Sequence, residues 1–265
     1  MKKVTIHEPT AKKSLVYAQA TYYPNFVRIW IPNKPKIYQD KSTSTDSTIY
    51  RMDVEYPYET SEERSLRRSR KSIIDYALCN EFDLFATFTF GENRADDDKV
   101  RKKLATWLKN QRTRNGKFRY VVVPERHKTG ELHFHALIGG YKGKIKFAIN
   151  PHTGKKIKDS RGNYVRNFSE YRIGINSAKT ISEDSGEVKT AYYLQKYITK
   201  DAVNTFGKNR LWVSHGLKKP LVEENPEEWY LHVKPDREHA TDYGIILEFD
   251  INSNPLTEMF SEGKV

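Results

Sequence analysis

Two hydrophobic periodicities organise the middle of the chain. Alternating apolar and polar residues mark strands, and apolar residues three and four apart mark one face of a helix. Residues 83–90 read as a strand, with Thr87 and Thr89 on one face and Phe88 and Phe90 on the other. Arg119-Tyr120-Val121-Val122-Val123-Pro124 reads as a second strand, which Pro124 is expected to stop because proline cannot donate to a ladder. Leu132-His133-Phe134-His135-Ala136-Leu137-Ile138 is its return strand, closed by Gly139-Gly140. Ser61 followed by Glu62 and Glu63 opens a helix over 61–80. Asp96, Asp97 and Asp98 open another, reaching about Arg114, where Asn115-Gly116 ends it. A third helix is expected over 187–203.

The flanks are less regular. Residues 16–32 are rich in Tyr, Val, Ile and Trp and predict one or two strands, and the polar run 39–48 a flexible loop. Residues 141–168 read as a basic loop, 171–181 as containing a strand, and 206–220 as a basic loop or short helix. Strands are expected over 229–233 and 243–249. No repeat of the usual solenoid length is present. The order β-α-β-β-insert-β-α predicts an α+β domain of ferredoxin-like or RRM-like type, an antiparallel sheet with helices on one side. Three segments follow: a β-rich flank over 1–60, the main domain over 61–220, and a C-terminal extension over 221–265 packed on it.

Charge adds a partner class. Lys and Arg number 46 against 34 Asp and Glu, a net +12. Residues 221–265 hold eleven acids and three bases, so the first 220 residues are more basic than the whole. A basic body with an acidic tail points to a polyanion, most simply nucleic acid. The single cysteine, Cys79, excludes a disulfide scaffold and a four-cysteine zinc site and reads as a small buried residue. No apolar run has the length of a membrane helix and the start has no apolar signal region, so a cytoplasmic protein is expected.

The sharpest chemical feature is His133-Phe134-His135. Residues two apart on a strand share a face, so both imidazoles can reach one metal ion. If the hairpin folds about Thr129, Glu125 lies opposite His133 and Val123 opposite His135. That brings a carboxylate beside the imidazoles as a His-His-Glu site. Such a set suits several transition metals, and oxygen ligands completing it suit Mn2+ or Mg2+. His127 lies nearby in the turn and reads as exposed. The second feature is Tyr192-Tyr193-Leu194-Gln195-Lys196-Tyr197-Ile198-Thr199-Lys200. On a helix, Tyr193 and Tyr197 share a face, with Lys196 and Lys200 along its edge. A phenol is a poor nucleophile near neutral pH, and a cation beside it or on its target phosphate eases the attack. Packing aromatics with outward lysines are the alternative reading. The third is Arg64-Ser65-Leu66-Arg67-Arg68-Ser69-Arg70-Lys71, whose five bases suit either a phosphate backbone or a solvated helix face.

In this order the motifs resemble rolling-circle replication initiators of the HUH endonuclease superfamily, of microvirus-like and bacterial plasmid or phage type. Phe85-Ala86-Thr87-Phe88-Thr89-Phe90 is similar to the first motif of that family, Glu131 to Ile138 to its metal-binding motif, and Tyr193 to Lys200 to its nucleophile motif. Ser214 to Pro220 is similar to sequence that follows the third. The resemblance covers about residues 60–220. It implies an antiparallel HUH fold and a nickase that uses Mg2+ or Mn2+ held by Glu125, His133 and His135. Tyr193 would be the nucleophile, Lys196 its electrostatic aid and Tyr197 a second nucleophile. Arg64, Arg67, Arg68, Arg70, Lys71, Thr87, Thr89 and Lys200 would meet single-stranded origin DNA. The tyrosine follows the histidine pair, unlike the order in relaxases. The chain has no Gly-x4-Gly-Lys-Ser/Thr loop, so a helicase and a polymerase would come from the host or a separate gene. The resemblance also implies a bacterial cytoplasm and a plasmid, phage or integrated element as the source. A single-strand transposase, a non-catalytic DNA-binding regulator and a metal hydrolase are the competing readings.

Overall fold

The computed structural model describes residues 13–34, 36–39, 60–92, 96–127, 129–160, 162–181, 194 and 210–251. In chain order the first elements are β1 (Lys13–Val16), β2 (Gln19–Tyr23), β3 (Phe26–Pro32), β4 (Lys36–Gln39) and α1 (Ser61–Cys79). Next come β5 (Leu84–Phe88), α2 (Asp97–Asn115), β6 (Arg119–Arg126), β7 (Leu132–Gly139), β8 (Ile145–Phe147) and β9 (Arg166–Phe168). The last are β10 (Asn176–Thr180), β11 (Trp212–Val213), β12 (Leu221–Glu224), β13 (Arg237–Thr241) and β14 (Gly244–Asp250). The fold class is α+β with antiparallel sheets, as the sequence predicts. The chain divides into two compact units, Met1–Pro57 with Pro220–Val265, and Tyr58–Lys219.

In the first unit the N-terminal flank and the C-terminal segment share one five-stranded sheet of order β12-β2-β3-β14-β13. Its core holds Tyr22, Val27, Ile29, Trp229, Tyr230 and Phe249. Arg28 bridges to Glu248 on the neighbouring strand at 2.6 Å, and Tyr22 Oη donates to Glu223 at 2.6 Å. Residues 229–233 do not form the expected strand, because Glu228–Leu231 is a turn of 3-10 helix. Trp229 and Tyr230 are both buried. A strand would send two adjacent rings to opposite faces, whereas a tight turn keeps both inside.

The second unit is a seven-stranded sheet of order β11-β6-β7-β5-β10-β9-β8. Helices cover both of its faces, not one. Even-numbered residues of the central strands (Ala86, Phe88, Val122, Phe134, Ala136) pack with Val100, Leu104, Trp107 and Leu108 of α2. Odd-numbered Phe85, Val121, Val123 and Leu137 pack with Leu66, Ile73, Ile74 and Ala77 of α1. Each fully buried large side chain here, such as Phe88 or Phe134, contributes about 1.5–3 kcal/mol. Apolar residues on both faces of the central strands are what make two helical layers necessary.

Local signals set the helix ends. Thr60 caps α1 in a reciprocal box with Glu63, worth about 1 kcal/mol. Asp96 caps α2 by accepting from the Asp98 and Lys99 amides, and Gly116 at φ +84° closes it. Pro124 does not stop β6, which continues to Arg126. The neighbouring β11 pairs only with Val121 and Val122, so Pro124 lies on a stretch whose outer edge β11 no longer covers. There its missing N–H breaks no ladder. The expected loop over 141–168 contains β8, β9 and two isolated bridges, Ile149 to Lys156 and Lys158 to Tyr164.

Candidate metal and DNA site

The β6–β7 hairpin pairs Glu125 with His133 and Val123 with His135, the register that a turn about Thr129 requires. Strand alternation then gathers Glu125, His127, Glu131, His133 and His135 on one face, the face that α1 covers further along. Arg126, pointing to the opposite face, ties the end of the hairpin to α2. It meets Asp97 at 2.5 Å and donates to the Gly130 carbonyl.

His135 is held at both ring nitrogens. Nε2 lies 2.6 Å from Glu125 Oε2 and Nδ1 3.2 Å from Thr87 Oγ1, while Phe85 stacks on the ring at 5.8 Å. His135 is buried, and Glu125 keeps part of its surface in solvent. His133 turns the other way and stacks on His127, with ring centroids 4.8 Å apart and planes 8° from parallel. Thr129 Oγ1 contacts His127 Nδ1 at 2.8 Å and donates to Glu131 at 3.0 Å.

One nitrogen or oxygen from each of His127, Glu131 and His133 falls within 4.8 Å of the others, so this group can hold a metal ion. Burial lowers the pKa of His133, helped by His127 and His135 and opposed by Glu125 and Glu131. A ring kept neutral in this way offers a lone pair to a cation. Three imidazoles and two carboxylates on one hairpin fit a divalent ion. His127 is exposed, as its turn position suggests, yet it belongs to the metal-capable group. The sequence reading missed Glu131 as a ligand. The same turn geometry that pairs Glu125 with His133 also sets His127 against Glu131, and that was the available signal.

The other sequence candidates separate. Arg64, Arg67, Arg68, Arg70 and Lys71 are all exposed on α1, away from its buried Leu66 and Ile73 side, and Lys71 pairs with Asp75 at 2.7 Å. Thr87 points at His135. Thr89 Oγ1 donates to the Ile175 carbonyl at 2.9 Å and accepts from its amide at 3.2 Å, a link between strand ends. Tyr193, Lys196, Tyr197 and Lys200 lie outside the described residues, as does most of the helix expected over 187–203. Leu194 within it is helical and fully buried, in the same cluster as Val123, Leu137 and α1.

Residues 83–202 match a family of replication-associated proteins, the ORF2 family. The matched segment is just under half of the chain and runs from β5 through the hairpin into the tyrosine-bearing stretch. The match supports a replication initiator and, with it, DNA binding. No curated protein and no solved structure gives a significant match. Among the described residues no helix is long and apolar enough to cross a membrane.

Proposed function

We propose that the chain is an HUH-type rolling-circle replication initiator of a plasmid, phage or related element. In this reading it nicks single-stranded origin DNA through a tyrosine and rejoins ends by the reverse reaction. The observation that carries the reading is the hairpin face that holds Glu125, His133 and His135, inside the segment that matches a replication-associated family. The placement of Leu194 supports it as well. It is buried against the sheet face that bears both histidines, and Tyr193 is its covalent neighbour.

Glu125, His133 and His135 would hold Mg2+ or Mn2+, which when bound polarises the scissile phosphate. Thr87 fixes the His135 ring so that Nε2 faces Glu125. Tyr193 Oη forms the new bond to phosphorus as the bond to the 3′ oxygen breaks. The phenol gives up its proton and the departing oxygen takes one up, leaving a 5′-phosphotyrosyl link and a 3′-hydroxyl primer. Lys196 offsets phosphate charge and Tyr197 attacks in the closing step. The phosphotyrosine conserves the bond, so rejoining needs no nucleotide. The arginines of α1 and Lys200 track phosphates, while helicase and polymerase act in trans in a bacterial cytoplasm. Residues 61–220 form the catalytic domain.

The test is a denaturing gel of the protein incubated with labelled single strands from its own replicon and Mn2+. A covalent adduct is expected that chelator abolishes and Tyr193→Phe removes. An adduct that persists in both Tyr193→Phe and Tyr197→Phe would overturn tyrosine chemistry.

A further inference from the structure

The stretch 141–168, between the hairpin and β10, carries eight Lys and Arg and a single Asp. That acid, Asp159, is paired with Lys179 of β10 at 3.0 Å, which ties the stretch to the sheet. The chain here folds as a small ribbon. β8 pairs with β9, and the Ile149–Lys156 and Lys158–Tyr164 bridges extend it beyond the sheet edge. Phe168 at its root is buried in the core, and its amide donates to Asn176 Oδ1 at 2.7 Å.

The far part is built differently from a core. Phe147 and Tyr164 are 37% and 49% exposed and meet edge to face at 5.6 Å. Lys156 sits 4.1 Å from the centroid of Phe147, and Lys158 sits 5.0 Å from that of Tyr164. Rings this exposed, interleaved with cations, match the recurring chemistry of single-strand binding, in which bases stack on aromatics and lysines follow phosphates. A duplex-binding ribbon would need the cations but not the rings.

Register links the ribbon to the histidines. Lys146 pairs with Asn167, Ala178 with Arg166, Ser177 with Thr87, and Thr87 with His135. Cross-strand partners point to one side. Lys146, Asn167, Ser177, Thr87 and His135 therefore form one polar row across the sheet, on the face of the candidate metal site. At about 4.8 Å per strand the row spans roughly 19 Å. Lys142 and Lys144 lie just ahead of Lys146 and are exposed, as it is.

We propose that this ribbon is an arm that holds single-stranded DNA beside the hairpin site, with Lys142, Lys144 and Lys146 on phosphates and Tyr164 and Phe147 under bases. The proposal deepens the nickase reading, since it concerns the substrate of the same site, but it is read without catalysis.

The test titrates the full chain, in chelator, against a labelled oligo-dT and against a duplex of the same length, at several salt concentrations. The triple variant Lys142→Gln/Lys144→Gln/Lys146→Gln is expected to make the log affinity against log salt slope shallower by about 2 on the single strand, at ~0.7 per phosphate contact. Tyr164→Ala is expected to weaken binding about tenfold with the slope unchanged, and Tyr164→Phe to bind like the native chain. Native affinity and slope in the triple variant overturn the arm, and this variant removes no packed ring. Native affinity in a folded Tyr164→Ala overturns the base contact. Equal losses on duplex and single strand overturn the choice of single strand. A failed nickase reading shows separately, as no adduct in metal while binding in chelator still reports on the arm.

Discussion

Glu125 reaches His135 diagonally, at 2.6 Å, although the residue directly across the hairpin from Glu125 is His133. The directly opposed imidazole has turned away to stack on His127. The hairpin thus offers two overlapping ligand sets that share His133, one reaching toward β5 and one toward the turn. A cation drawn to the inner set has to separate Glu125 from His135 far enough for each to give it a lone pair.

The inner set is the one through which the proposed nickase works, and a titration can separate the two. Glu125→Gln and His135→Ala are each expected to raise the Kd for Mn2+ by tenfold or more in isothermal calorimetry. His127→Ala is expected to change it by less than about threefold, because second-shell losses start near tenfold. The opposite ranking would place the cation at His127, Glu131 and His133.

Arg101 predicts an unusual gain in stability. Its side chain is buried between the Phe134 and Trp212 rings, at 6.0 and 5.8 Å, and Nε and Nη1 make no hydrogen bond among the described residues. Burial lowers its pKa, opposed by Asp97 and Asp98. A desolvated charge with unmet donors costs on the order of 1–3 kcal/mol, more than its ring contacts return. Arg101→Met keeps the volume and removes the charge. Chemical denaturation is expected to show a stability gain of about 1 kcal/mol, and a loss would mean that the ring contacts dominate.

Two groups set an alkaline limit on stability. Burial, then Asp75, pushes the Cys79 thiol up from 9.0 to about 11. Burial, then Glu170, pushes the Tyr141 phenol up from 10.0 to about 12, while its hydroxyl donates to Gln111 at 2.6 Å. Between each pair of values the unfolded chain has lost a proton that the folded chain keeps. Stability is therefore full below about pH 9 and falls as pH rises toward 12. Urea melts of the native chain and of Cys79→Ala/Tyr141→Phe are expected to converge as pH rises through this window, because the variant lacks both groups.

The elements nearest the candidate site were the most legible in the sequence. The turn at Thr129 and the alternation of Leu132 to Ile138 determine the hairpin register, and Ser61 and Asp96 mark helix starts within a residue. What was hidden depends on partners distant in sequence. No local pattern says that β14 inserts between β3 and β13, or that α1 and α2 take opposite sheet faces. The three-residue strands β8 and β9 are too short and too polar to show a period. Trp229 read as strand because aromatic content suggests strand, while burial of both neighbouring rings decided for a turn. Thr87 and Thr89 looked equivalent by alternation, yet one faces an imidazole and the other closes a backbone link.

That difference between the threonines yields the last prediction. Thr87 Oγ1 is 3.2 Å from His135 Nδ1, on the strand beside it, so it acts on a metal only through the ring it orients. Removing such a partner costs ten- to hundredfold in metal affinity in comparable sites. Thr87→Val keeps the β-branched shape and loses the hydroxyl, and its Kd for Mn2+ is expected to rise about tenfold. Thr87→Ser restores the hydroxyl and is expected to recover most of that loss. Binding of oligo-dT in chelator is expected to stay at the native level in both variants. If Thr87→Val instead weakens DNA binding and leaves Mn2+ affinity alone, the hydroxyl serves the nucleic acid directly and the orienting role falls.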